Sequence, residues 1–350
     1  MRLAFLTSTP LDIARGSGTF SGISTLARAL ANLGVRADVI APRVHFPIYT
    51  LERLWFNEGL RRRDFRDYDA VVGFDLDGYR IPAGGPPHIA SIKGVIADEM
   101  RFERGLTHAT LAIQAACERR HVRRARLVLT TSRYAAARLR ELYDLAALPG
   151  IVPEPIDLAA WRELFDENPG QPDPHRFTVL TVCRFYPRKR LHVLLGAAAR
   201  LRERIPELAL RIVGNGPEAA RLHRLARDLR LEKVVTWLGD IAQPELAREY
   251  NQCDTFCLPS VQEGFGIVFL EAMAAGKPVI AARAAAVPEV VTHGVLTEPD
   301  DEVSLAEAIS RLHDDAALRQ ALGQAGRASV HQFDAPAVAR RFLEAIAHVK

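Results

Sequence analysis

The chain predicts an α/β protein built as two doubly wound parallel-sheet domains. Three observations carry that prediction. Short apolar runs of strand length alternate, end to end, with longer stretches of helical periodicity, the pattern of parallel strands joined by helical crossovers. At 350 residues the chain is long enough for two cores. A polar, breaker-rich stretch, Asp166-Glu167-Asn168-Pro169-Gly170-Gln171-Pro172-Asp173-Pro174, divides the alternation and reads as a linker.

The elements follow in order. In the first half, strands fit residues 3–6, 37–40, 70–73, 89–92, 127–130 and 150–153. Ile23, Leu26, Ala27, Leu30 and Leu33 make the apolar stripe of a helix that Gly34 ends. Ser132 suits the N-cap of a helix running through Leu139. In the second half, strands fit 178–183, 209–213, 234–237, 255–258 and 279–281, with helices between. Residues 267–275 read as a helix stopped by Gly276 and Pro278. The apolar run at the N-terminus is too short for a signal peptide and reads as a buried first strand. No run approaches the length that spans a bilayer.

Composition narrows the function classes. Hydrophobic residues make up 48% and charged residues 25%, ordinary for a soluble globular protein. The net charge of +4 and pI of about 9.0 suit phosphorylated ligands or an anionic surface. No zinc-finger spacing and no basic arm with interleaved aromatics marks a nucleic-acid module. Cys117, Cys183, Cys253 and Cys257 are scattered. Cys253 and Cys257 lack a second ligand pair, and Cys257 falls in an apolar strand, so they read as buried thiols in a reducing, cytoplasmic setting.

The most informative segment runs from Glu263-Gly264-Phe265-Gly266 through Glu271-Ala272-Met273-Ala274-Ala275-Gly276-Lys277-Pro278. It places Glu263 and two glycines in a loop at the end of a strand, feeding a helix N-terminus. Such a turn offers unpaired N–H groups, and glycine lets an anion approach the backbone. The two carboxylates need other partners; sugar and ribose hydroxyls fit. Arg184-Phe185-Tyr186-Pro187-Arg188-Lys189 follows the first strand of the second half, where a bidentate fork and a point charge suit a diphosphate leaving group. Val213-Gly214-Asn215-Gly216-Pro217-Glu218 closes another strand.

Together these segments resemble the Glu-x7-Glu signature and Arg…Lys pair of retaining GT-B glycosyltransferases of family four. The resemblance covers nearly the whole chain and is most specific in the second half. It implies a GT-B fold: an acceptor-side domain over 1–165, a nucleotide-sugar domain over 175–332, and a C-terminal helix, 336–350, crossing back to the first. It implies transfer of a hexosyl unit from a UDP- or GDP-sugar to an acceptor with retained configuration, by front-face attack, with no cofactor and no metal. Arg184 and Lys189 would stabilise the departing diphosphate and Glu263 would orient the sugar. Glu271 would hold the ribose, with Phe265, Gly266 and Ile267 meeting sugar and phosphate. Gly16 and Gly18 would form the loop closing over the donor. Gly214 and Gly239 would border the nucleotide.

Three departures from the family pattern stand out. Arg190 occupies the usual glycine after Lys189 and, with Arg188, is expected to be solvated. Lys93, ending the strand 89–92, stands where the family often has histidine, and is assigned to the acceptor or sugar site. Val152-Pro153-Glu154-Pro155-Ile156-Asp157 replaces the frequent Pro-Asn-Gly-Ile-Asp. Asp75-Leu76-Asp77 has the Asp-x-Asp form of a different, metal-using glycosyltransferase fold but reads as coincidence. In the stretch 51–63, Leu51, Leu54, Trp55 and Phe56 are expected to pack inward with Arg61, Arg62 and Arg63 solvated. The alternative there is a weak peripheral contact with an anionic membrane. The runner-up functions are a GT-B epimerase or phosphorylase, or a non-catalytic nucleotide-sugar-binding relative.

Overall fold

The computed structural model describes residues 1–9 and 18–349. The chain divides into two compact units, one formed by residues 1–155 with 335–350, the other by 156–334. The division falls at Pro155, earlier than the breaker-rich stretch 166–174, which lies inside the second unit. The helix Leu158–Glu167 is anchored there. Its Trp161 ring meets Tyr250 at 5.9 Å, and Asn251 Nδ2 donates to the carbonyls of Phe165 and Asn168 at 2.9 and 3.0 Å.

In the first unit the strands are β1 (Arg2–Leu6), β2 (Arg36–Ile40), β3 (Ala70–Phe74), β4 (His88–Ile92), β5 (Leu127–Thr130) and β6 (Gly150–Ile151). They form one parallel sheet in the order β2-β1-β3-β4-β5-β6. Every residue of β3 and β4 is buried, so neither strand alternates between a buried and an exposed face. β6 ends before Pro153 and Pro155, which have no N–H to add to a ladder. The helix Ala335–Ile346 belongs to this unit. Its Val338, Ala339, Phe342 and Ile346 are buried with Leu3 and Phe5, and the Phe5 and Phe342 rings meet edge-on at 6.1 Å.

In the second unit the strands are β7 (Phe177–Val182), β8 (Leu208–Val213), β9 (Val235–Gly239), β10 (Thr255–Leu258), β11 (Val279–Ala282) and β12 (Val295–Thr297). They form a parallel sheet in the order β12-β11-β10-β7-β8-β9. The sequence shows no sign of β12, because three residues carry no periodicity. In each unit the first strand has neighbours on both sides, β2 and β3 about β1, and β8 and β10 about β7. The winding reverses there, and the crevice beyond the carboxyl ends of those strands is where such sheets bind ligands.

One expectation fails in the first unit. On the helix Tyr49–Leu60, Arg53, Phe56, Asn57 and Leu60 share the buried face, as i, i+3, i+4 spacing requires. Leu51 and Trp55 fall on the other face and are 50% and 65% exposed. Burial of Arg53 follows from its partners: Nε donates to Ser8 Oγ at 3.0 Å, Nη1 to Gln114 Oε1 at 3.0 Å, and Nη2 stands 3.7 Å from Asp77. The four cysteines are unpaired, with Cys183, Cys253 and Cys257 buried. Among the described residues no helix is long and apolar enough to cross a membrane.

Candidate active site

In the second unit the loops after β7 and β10 flank the reversal point and carry the residues singled out above. β7 leads through Cys183, whose N–H donates to the Val213 carbonyl at 3.1 Å, into Arg184 and a single 3₁₀ turn, Pro187–Lys189. β10 leads through Pro259 and Ser260 to Glu263. The Val261 N–H donates to the Arg188 carbonyl at 3.0 Å and ties the two loops together. Lys189 Nζ then donates to Glu263 Oε1 at 2.6 Å, with both side chains largely buried. Arg184 is more open and pairs with Asp240 Oδ1 at 3.3 Å. Asp240 follows β9, which lies two places from β7 in the sheet, so loops from the ends of β10, β7 and β9 converge.

Arg190 is not solvated, contrary to expectation. It takes φ +53°, ψ +34°, the left-handed region that glycine occupies most easily, and so fills the usual glycine's backbone role. Its guanidinium is held by Asp300 Oδ1 at 2.6 Å and by the Pro187 carbonyl at 3.2 Å. These contacts offset the strain of about 1 kcal/mol for a side chain there.

Beyond Glu263 the chain enters the helix Ile267–Ala274, with Gly266 at the N-cap at φ +94°. A Cβ there would lie 2.6 Å from the Phe269 ring, so both conformation and space require glycine. Phe265 is buried, its ring edge-on to Phe333 at 5.4 Å. Ile267 opens the helix. Glu271, one turn on, is partly buried and accepts from the Tyr250 hydroxyl at 2.9 Å. Burial pushes its carboxyl up to about 7, against the opposing pull of that hydrogen bond. Tyr250 is fully buried, and sequence reading missed it because nothing local marks a tyrosine on the preceding helix.

Gly214 and Gly239 lie side by side at the ends of β8 and β9, the Gly214 N–H donating to the Gly239 carbonyl at 2.7 Å. A Cβ on Gly214 would fall on the Cys183 carbonyl oxygen, whereas one on Gly239 would meet open space. Gly214 therefore serves the protein's own close packing, and Gly239 leaves room beside the Trp237 strand.

In the first unit Lys93 does end β4 but is buried. Its N–H donates to Asp75 Oδ1 at 2.9 Å, and its Nζ donates to Glu154 Oε2 at 3.0 Å and faces the Phe74 ring at 5.7 Å. Gly18 begins the helix Gly18–Asn32, and Gly16 lies outside the described residues. Asp77 is enclosed by protein donors: the Ser8 N–H at 2.6 Å, Ser8 Oγ at 2.7 Å and Asn57 Nδ2 at 2.8 Å. It is committed to joining the ends of β1 and β3. Asp75 sits at φ +53°, and burial pushes its carboxyl up to about 6.

Comparison with known proteins bears on this arrangement. Residues 164–329 match the family described as Glycosyl transferases group 1. The D-inositol 3-phosphate glycosyltransferase of Pseudarthrobacter chlorophenolicus is 35% identical over 214 residues, 57% of this chain and 50% of that protein. The GDP-mannose-dependent alpha-(1-6)-phosphatidylinositol monomannoside mannosyltransferase of Mycobacterium tuberculosis is 33% identical over 224 residues, 57% of this chain and 56% of that protein. The chain thus spans about half the length of the curated relatives it matches. Among solved structures, sucrose-phosphate synthase from Thermosynechococcus elongatus aligns over 98% of this chain and 97% of its own with TM-score 0.81 and 23% identity. Anabaena HepE in complex with UDP and glucose aligns over 99% and 100% with TM-score 0.72 and 19% identity. The chain has the GT-B fold, and its residues 164–329 are similar to the glycosyl transferases group 1 family.

Proposed function

We propose that the protein transfers a hexosyl unit from a nucleotide diphosphate sugar, UDP- or GDP-linked, to a hydroxyl-bearing acceptor with retention of configuration. The observation that carries this reading is the Lys189–Glu263 contact at 2.6 Å across the reversal point of the second sheet. It puts a cation and a carboxylate side by side beyond the strand ends, next to a glycine-capped helix N-terminus. A nucleotide diphosphate sugar presents an anion and hydroxyls in that same adjacency.

When donor binds, the diphosphate replaces Glu263 as the partner of Lys189, and Glu263 turns to a sugar hydroxyl. Arg184 adds its fork to the diphosphate. Charge builds on that group as the glycosidic bond breaks, and both cations are then worth more than in the ground state. Glu271 accepts from the ribose hydroxyls, held in orientation by Tyr250. The leaving phosphate oxygen takes the acceptor's proton, so no side chain need act as a covalent nucleophile. A GDP-sugar is named for the mycobacterial relative and UDP accompanies the Anabaena structure, so both donors belong in the test.

The test is a panel of UDP- and GDP-sugars followed by nucleotide release, with the product anomer read by NMR. Lys189→Ala and Arg184→Ala are each expected to lower kcat by roughly 100-fold or more while the melting temperature holds. Near-normal transfer by the double variant, or an inverted product, would overturn the assignment.

A further inference from the structure

Two of the departures noted in the sequence, Lys93 and Glu154, are bonded to each other. They lie 61 residues apart in the chain, and the Nζ–Oε2 distance is 3.0 Å with each side chain 4% exposed. A third position accommodates them. Gly22, in the first helix of the unit, is where a Cβ would fall on Glu154 Oε2, so the carboxylate lies directly on that helix's backbone. The three positions therefore form one unit at the carboxyl ends of β4 and β6, the edge at which parallel sheets receive ligands.

The pair is buried but not saturated. Among the described residues, no donor reaches Glu154 Oε1, and the Lys93 ammonium reaches no acceptor besides Glu154 Oε2. An ammonium has three donors and a carboxylate about four acceptor positions. The unused acceptor and the unused N–H groups stand side by side, which is the complement of a hydroxyl group: it donates to Oε1 and accepts from Nζ. A phosphate or carboxylate is a poor fit, because Glu154 already neutralises Lys93 and holds a carboxylate within hydrogen-bond distance of it. An anion placed on Lys93 would therefore be repelled by Glu154.

Resting on the transferase reading above, we propose that Lys93 and Glu154 form a neutral hydroxyl-recognition subsite, so that the acceptor carries an uncharged polyol at this point. Glu154 is then a specificity-determining residue.

The experiment compares matched compounds: myo-inositol with its 3-phosphate, and glucose with glucose 6-phosphate. Two readouts are taken on the full chain, transfer kcat/KM at saturating donor and saturation-transfer NMR with the second unit filled by UDP or GDP. The wild type is expected to favour the neutral member of each pair by about tenfold or more. Glu154→Gln keeps the shape and one bond to Lys93 but releases the lysine's charge. It should weaken the neutral compound by about tenfold and strengthen the phosphorylated one. Lys93→Met, the second variant, should weaken the neutral compound without gaining the phosphorylated one. Thermal melting checks that each variant is folded. Preference of the wild type for the phosphorylated compounds, or an unchanged ratio in a folded Glu154→Gln protein, would overturn the proposal. If no nucleotide sugar is turned over, the transferase reading fails on its own, and NMR still decides the subsite: absence of neutral-polyol binding sinks it.

Discussion

The pH dependence of donor binding gives the sharpest test of the second unit. Glu271 in the ligand-free protein has its carboxyl pushed up to about 7 by burial. In the role proposed for Glu271, accepting ribose hydroxyls favours the ionised form, so donor binding should pull that value back down and release a proton. Affinity must therefore rise with pH and level off above about 7. For a site that binds only when ionised, the fraction competent is about 0.03 at pH 5.5 and about 0.76 at pH 7.5, a fall of roughly 25-fold in affinity on acidification. A nucleotide diphosphate sugar has no titrating group of its own in that window, so isothermal calorimetry with UDP-glucose and GDP-mannose reads the protein alone. Glu271→Gln should bind weakly but with a flat profile. The same burial acts on folding with the opposite sense. Raising pH from about 4.5 to 7 ionises the carboxyl in the unfolded chain first, so this group's contribution to stability falls as pH rises. A wild-type affinity independent of pH from 5.5 to 7.5 would refute the role of Glu271, as would an unchanged pH profile in Glu271→Gln.

Three further expectations follow from particular contacts. Transfer should persist in a chelator, because Lys189 and Arg184 supply the positive charge; loss of activity restored by magnesium or manganese would count against their assignment. His88 and His121 share an Nε2–Nε2 hydrogen bond of 2.8 Å, with His121 Nδ1 donating to the Asp75 carbonyl. Burial lowers both imidazoles, His121 to about 4, so neither should titrate by NMR above pH 5, where exposed imidazoles do at about 6.5. With the folded value depressed, the pair's contribution to stability is present above about 6.5 and is lost as pH falls towards 4; a midpoint near 6 for either ring would contradict this. Arg190→Gly removes the left-handed strain and the Asp300 pair together. Denaturant titration should find a net change within about 0.5 kcal/mol, and a loss above about 2 kcal/mol would show the ion pair to be worth more than its half-exposed setting suggests.

What the sequence determined by itself was local. Strand and helix periodicity, the glycine stop at Gly34 and the Ser132 cap, which accepts from the Ala135 N–H at 3.1 Å, depend on residues within a turn or two of each other. Loop chemistry was legible for the same reason: Glu263, Gly266 and Glu271 lie on one short segment, and Arg184 and Lys189 on another. Only tertiary structure decided which segments meet. Lys189 finds Glu263 across 74 residues, Glu271 finds Tyr250 across 21, and Lys93 finds Glu154 across 61, because sheet order brings distant strand ends together. No local pattern encodes those distances. Charge misled for a related reason. Arg190 read as a solvent-facing residue, yet it, like Arg53 and Lys93, is drawn in by an acid supplied from elsewhere in the fold: Asp300, Asp77 and Glu154 respectively. The free energy of burying a charge depends on its partner, and the partner is a property of the folded chain.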